Sequence, residues 1–188
     1  MAKITKGQNR IESVERMRIK YDLEEIFGIS LKGTPELRQA LGQAIIDRIE
    51  KRTKEKSKDI NEKAFKKYSK AYQNSDDFKA SGKTSKVNMS LTGDMLADVD
   101  ILRDTSKEIV IGFTDPEESA KAHGHVTGGG NLPRRDFFGL SQRDVNALKK
   151  QFLPEVKEAI KLKEDQGRSA FEDAVLGLLR RFDGEGEG

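Results

Sequence analysis

From Pro35 onward, apolar residues return at every fourth position: Leu37, Leu41, Ile45 and Ile49, with Ala44 beside them. That single stripe predicts an amphipathic helix running to about Lys56, its apolar side turned to a core. Thr34-Pro35-Glu36 opens it with a hydroxyl cap, a proline at the first helical position and an acid in the first turn. Upstream, Ile11, Val14, Tyr21, Leu23, Ile26 and Phe27 follow a weak helical period. We expect a helix there from about Asn9 to Phe27, ended by Gly28. Such a helix is marginal alone and needs the body or a partner to hold it.

Further along, the period shortens. Val87, Met89 and Leu91 alternate with polar neighbours, which predicts a half-buried strand. Thr92-Gly93-Asp94 then opens a short helical turn through Met95 and Leu96. Val99-Asp100-Ile101 and Ile109-Val110-Ile111 flank the polar Arg103–Ser106, a β-hairpin pattern in which Ile109, Ile111 and Phe113 share one face. Asp115-Pro116-Glu117-Glu118 caps a short helix that yields at Gly124, with Glu118 placed to close a capping box. Ser141 and Asp144 start another, with Val145, Leu148, Phe152 and Val156 on its apolar face and Pro154 expected to kink or split it. A last amphipathic helix, Ser169–Phe182, carries Phe171, Val175, Leu178, Leu179 and Phe182, and the GEGEG tail reads as disordered. These elements divide the chain into an N-terminal helical arm (1–33), a core domain (34–160) and a C-terminal helix with an acidic tail (161–188).

Composition narrows the class. In 188 residues the apolar share is 35% and the charged share 36%, which suits a small folded body with solvated or partner-covered extensions. Four aromatics, Phe65, Tyr68, Tyr72 and Phe78, crowd into one irregular stretch that we expect to be pinned against the body. There is no cysteine, which excludes a disulfide scaffold and thiolate metal sites and fits a reducing compartment. The first residues lack an apolar signal region and no run reaches membrane-spanning length, so a soluble protein with no membrane partner is expected.

The net charge of +3 is unevenly placed. Residues 1–75 hold 18 Lys/Arg against 11 Asp/Glu, a net of +7, and the remainder is −4. The excess concentrates over Arg48–Lys70, where four acids interrupt it. Mixed-sign pairs on a solvated helix face account for this pattern. The competing reading is a nucleic-acid-binding accessory protein using residues 48–70, whose affinity would fall steeply with salt.

Candidate chemistry is sparse. His123 and His125 would share a strand face but have no third metal ligand at a useful spacing. The Gly128–Gly130 run lacks the GK[ST] ending of a phosphate loop and reads as a mobile surface loop. No nucleophile can be paired with a base, so the reading is not an enzyme and names no catalytic, cofactor or metal residue. Arg134-Arg135-Asp136-Phe137-Phe138 stands apart. On an extended segment its two phenyls point to opposite faces, so either both are core or one meets a neighbour. Arg134, Arg135, Phe137 and Phe138 are therefore interface candidates, as are Phe171, Val175, Leu178 and Phe182 on the last helix.

FKKYSKAY, GKTSKVNMSLTGDML, IVIGF and AKAHGHVTGGGNLPRRDFFGLS, in this order and followed by a helix, resemble the virion-morphogenesis proteins of tailed bacteriophages. That family comprises neck, head–tail joining and tail-completion proteins. The resemblance runs from about Thr34 to Phe152 and is most specific at Leu91–Leu96 and Pro133–Ser141. It implies an α+β protomer, a small antiparallel β-sheet with a long helix packed on it and helical extensions at both ends. It also implies a structural role in a ring, a hexamer by analogy, between the head connector and the tail. The partners implied are copies of itself, the adjoining neck or connector proteins and tail-tube or tail-terminator proteins. DNA would pass through the lumen without sequence-specific binding. The implied location is the virion neck, with assembly in the host cytoplasm.

Overall fold

A computed structural model describes residues 5–28, 35–90, 93–129 and 132–166, over most of 155–166 as helix backbone alone. Its centre is a four-stranded sheet in the order β1-β2-β4-β3, antiparallel throughout. The strands are β1 (Gln8–Ile11), β2 (Arg18–Asp22), β3 (Val99–Asp104) and β4 (Glu108–Phe113). Around it lie α1 (Leu23–Phe27), α2 (Pro35–Lys54), α3 (Lys70–Gln73), α4 (Asp76–Ala80), α5 (Asp94–Ala97), α6 (Pro116–Thr127) and α7 (Gln142–Gln166). The fold is α+β.

The 20-residue α2 lies across one face of the sheet. Leu37, Leu41, Ile45 and Ile49 are all buried, and they join Ile19, Tyr21, Ile109 and Ile111 in one core. The helix sits close because position 42 is glycine. A Cβ there would collide with Ile101 Cδ1 and lie 3.0 Å from Ile101 Cγ1. Burial of these aliphatic side chains stabilises the fold by roughly 1.5–3 kcal/mol each before ordering costs.

The N-terminal stretch corrects the expected helical arm of residues 1–33. In its described part it is a strand hairpin followed by the five-residue α1, and β2 is an inner strand of the sheet. Met17, Ile19, Tyr21 and Leu23 alternate with Arg18, Lys20 and Asp22, and the first four are at most 1% exposed. A period of two buries one face of a strand and is incompatible with a helix face. This segment therefore belongs to the core domain. The helix end at Gly28 is as expected: its φ is 73° and its N–H donates to Glu24 O.

Three smaller expectations change. Val87 and Met89 are buried, yet the described residues 87–90 form no strand, because Met89 adopts φ 56°, where ladder pairing breaks; Leu91 lies outside the described residues. α6 continues through Gly124 to Thr127, since Ala122 and Val126, both fully buried, hold its last turns on the core. α7 continues through Pro154, with Phe152 and Leu153 packed on the core immediately before it. The Val99–Phe113 hairpin forms as expected, with an irregularity between Ile101 and Arg103 that turns Leu102 outward. Asp115 caps α6 by accepting from Glu117 N at 2.7 Å, whereas Glu118 pairs with Lys121 instead of closing a capping box. The C-terminal helix and tail expected after Gly167 lie outside the described residues.

Candidate functional site

The segment Pro133–Ser141, where the family resemblance is most specific, is built into the interior. Arg10 projects from the core face of β1, opposite Ile19. Its Nη1 donates to Asp136 Oδ1 at 2.5 Å and its Nη2 to Phe138 O. From the far side Arg52, in the last turn of α2, donates through Nη2 to Phe137 O at 2.6 Å and Gly139 O at 2.5 Å, and through Nη1 to Asp144 Oδ2. Two guanidinium forks thus hold three successive carbonyls from opposite sides. Arginine suits this work because its donors are rigidly spaced and permanently charged.

Neighbouring groups complete the clamp. Asp144 Oδ2 accepts from Ser141 N and Oγ, and Ser141 Oγ in return accepts from Asp144 N, so the ion pair is fused to the N-cap of α7. Ser141 Oγ also lies 2.7 Å from Glu62 Oε1, so the two carboxylates share its single hydroxyl proton. The side-chain amide of Gln8 donates to Leu140 O and accepts from Leu140 N, in the manner of a strand neighbour. Gly139 takes φ 131°, and a Cβ there would stand 3.0 Å from Arg10 Nη2 and 3.2 Å from Ile19 Cδ1. Tyr21 lies within the same shell, and burial pushes its phenol above the ordinary range.

This geometry revises the interface candidates. Phe137 and Phe138 are both fully buried, with Phe138 against Phe113 at 5.0 Å between ring centres, so neither phenyl is presented to a neighbour. Their carbonyls are pinned on opposite sides, which directs both side chains inward. Arg135 is also interior, donating to Lys66 O at 3.0 Å, and only Arg134 stays half exposed, 3.5 Å from Asp136 Oδ2. Phe171, Val175, Leu178 and Phe182 lie outside the described residues.

A cleft of about 930 Å³ opens beside this segment. The Tyr68 ring forms part of its wall, packed 5.2 Å from Tyr72 and 5.5 Å from Phe78. The Arg135 guanidinium lies 5.2 Å from the Tyr68 ring centre, and Lys83 Nζ is 3.3 Å from its hydroxyl. Burial lowers the Lys83 pKa and raises that of Tyr68. α6 contributes Glu118, Lys121 and His125. Burial, and then the charges of Arg135 and Lys83, push His125 down to about 4. It is neutral at physiological pH.

His123 and His125 stand on a helix, where residues two apart diverge, so the shared strand face expected for them does not exist. Among the described residues no cluster of three or more His, Cys, Asp or Glu is arranged for a metal, and no helix is long and apolar enough to cross a membrane. Four of the ten cations of residues 48–70 are engaged within the fold, while Lys51, Lys56, Lys63, Lys66, Lys67 and Lys70 are exposed. Arg48 donates to Gln151, Arg52 is interior, and Lys54 and Lys58 pair with Glu50 and Glu62. Sequence reading missed Arg10 and Arg52, whose partners in the segment 136–144 lie 85 or more positions away, although Arg10 also meets the nearby Glu12. It also missed the cleft, although Lys66-Lys67-Tyr68 had shown basic and aromatic residues side by side.

No family model, no curated protein and no solved structure matches this chain.

Proposed function

We propose that this protein is a structural component of a tailed-phage neck, a tail-completion or head–tail joining protein that acts as a ring of copies, six by analogy. The observation that carries the reading is the open outer side of the sheet. Among the described residues β1 and β3 each pair on one side only, and exposed apolar side chains sit at both edges: Ile11 42%, Val14 54% and Leu102 41%. Ile11, Arg18 and Gly112 lie in one cross-strand row, and Leu102 leans over Gly112. An unpaired edge flanked by apolar side chains is a template for addition of another chain. Two different edges on one protomer allow head-to-tail contacts, which close into a ring when the rotation permits. The sequence resemblance supplies the virion context.

The test is native mass spectrometry with electron microscopy of the purified protein, alone and with tail tubes. The expected result is a closed ring on the tail axis, converted to monomers by Ile11→Asp with Leu102→Asp while the melting temperature holds. A protein that stays monomeric at all concentrations and occupies a single off-axis copy in particles would overturn the reading.

A further inference from the structure

Arg10 and Arg52 each meet a buried acid, Asp136 and Asp144. Arg135 does not. It is 3% exposed, its Nε and Nη2 both donate to Lys66 O, and no carboxylate pairs with it among the described residues. Lys66, Lys67 and Lys83 line the same cleft, and they too have no acid partner among the described residues. Glu118, the acid of the lining, is engaged by Lys121 at 2.5 Å. Burial, and to a lesser degree the charge of Arg135, lowers the Lys83 pKa. An anion among these cations relieves their repulsion and gives Arg135 its counter-charge. A phosphate monoester suits the place better than a carboxylate, because it brings about two charges and three acceptor oxygens.

The α6 side of the cleft asks for something else. Glu118 is 9% exposed, and its Oε2 is buried with no hydrogen-bond partner among the described residues. A carboxylate oxygen only accepts, so the missing partner is an N–H or O–H group. His125 Nδ1 is likewise buried without a partner. Met89 and Met95 line the cleft with thioethers, polarisable surface that suits a flat unsaturated ring. The Tyr68 ring is less open to stacking, since it already carries Arg135 and Lys83.

We infer that the cleft binds a nucleotide, its phosphate among Arg135, Lys83, Lys66 and Lys67 and an amino group of its base donating to Glu118 Oε2. An acidic peptide would bring one charge per carboxylate and no flat ring for the methionines. The site lies apart from the strand edges that carry the ring reading, and its test is independent of that reading. The same chemistry reaches the cleft as a free nucleotide or as the phosphorylated end of a nucleic-acid strand, and the experiment separates the two.

The experiment is isothermal titration calorimetry of the full chain at low salt. Deoxyadenosine monophosphate should bind at least about tenfold tighter than inorganic phosphate, and than thymidine monophosphate, whose base has no amino group. Lys67→Gln with Lys83→Gln should weaken it about tenfold. Glu118→Gln should abolish the preference over thymidine monophosphate and leave phosphate binding unchanged. Thermal melting checks the fold of each variant. A second measurement needs no variant: the nucleotide should protect Lys66, Lys67 and Lys83 from acetylation, while the exposed Lys56 and Lys150 react as before. Oligo-dA with a terminal phosphate that binds no tighter than the mononucleotide assigns the site to free nucleotides. Binding at least about tenfold tighter assigns it to a strand end, and both outcomes support the inference. Oligo-dA that binds equally well without its terminal phosphate overturns it, because the cleft would then grip the strand backbone. Inorganic phosphate or tetraglutamate binding as tightly as the nucleotide also overturns it, as does the absence of both heat and lysine protection at millimolar nucleotide.

Discussion

Arg52 in the last turn of α2 and Asp144 in the first turn of α7 form an ion pair in the interior, their side chains 1% and 9% exposed. The pair is tolerated because each charge has further partners: Arg52 also serves the carbonyls of Phe137 and Gly139, its Nε alone lacking an acceptor among the described residues, and Asp144 serves the amide and hydroxyl of Ser141. Breaking such a pair from one side leaves an uncompensated charge, at a cost of about 3–5 kcal/mol. Arg52→Met and Asp144→Leu should each lose about that much in chemical denaturation. The double variant should lose less than the two combined by at least about 1 kcal/mol. Additive losses would show that the two side chains act independently.

Arg10 has a test of its own. Its fork reaches Asp136 Oδ1 and Phe138 O together, and its side chain is 3% exposed. Arg10→Ala should cost about 3 kcal/mol, because it leaves the buried Asp136 with only the half-exposed Arg134, 3.5 Å away. Arg10→Lys should recover little, since a point ammonium cannot reproduce a planar fork. Hydrogen exchange of the β1–β2 hairpin amides should accelerate in both variants. Full rescue by lysine would reduce the clamp to simple charge neutralisation.

Close packing of α2 on the sheet rests on Gly42 and Ile101. Gly42→Ala adds helix propensity, worth about 1 kcal/mol, but puts a methyl into Ile101. Overpacking of this kind costs about 1–3 kcal/mol, so a net loss is expected. Ile101→Val removes the Cδ1 atom that collides. In that background Gly42→Ala should be neutral or stabilising, a coupling of at least about 0.5 kcal/mol by a double-variant cycle.

His125 gives the fold a pH dependence. Its pKa falls from 6.5 to about 4 in the folded protein, through burial and then through Arg135 and Lys83. Between those values the unfolded chain binds more protons, so stability rises with pH from about 4 to 6.5 and levels off above. The contribution from this residue is at most about 1.4 kcal/mol per pH unit. His125→Gln should flatten the slope of unfolding free energy against pH within that window. An unchanged slope would mean that other groups carry it.

The helix α2 and the hairpin β3–β4 could be read from the chain because each repeats one burial rule over many consecutive residues. Leu37, Leu41, Ile45 and Ile49 repeat the helical rule, and Ile109, Ile111 and Phe113 the strand rule. The caps at Asp115 and Ser141 were legible for the same reason: a short polar side chain reaches only its own helix N-terminus. The alternation of Met17, Ile19, Tyr21 and Leu23 was present too, but strand and helix periods overlap over so few positions. It became a strand because β4 offered it a partner 92 positions along, through Ile19 and Ile111. At Val87–Met89 the alternation was equally clear and the backbone bent instead. The fate of Phe137 and Phe138 was not written locally at all. Their burial depends on where Arg10 and Arg52 bring their charges, and a buried guanidinium is stable only where the folded chain gathers enough acceptors around it. That gathering is a property of the tertiary structure, as is the meeting of Lys66, Lys83, Lys121 and Arg135 around one cleft. Periodicity is enforced by each residue's immediate neighbours, whereas desolvated charge is compensated only by partners that the fold delivers from elsewhere in the chain.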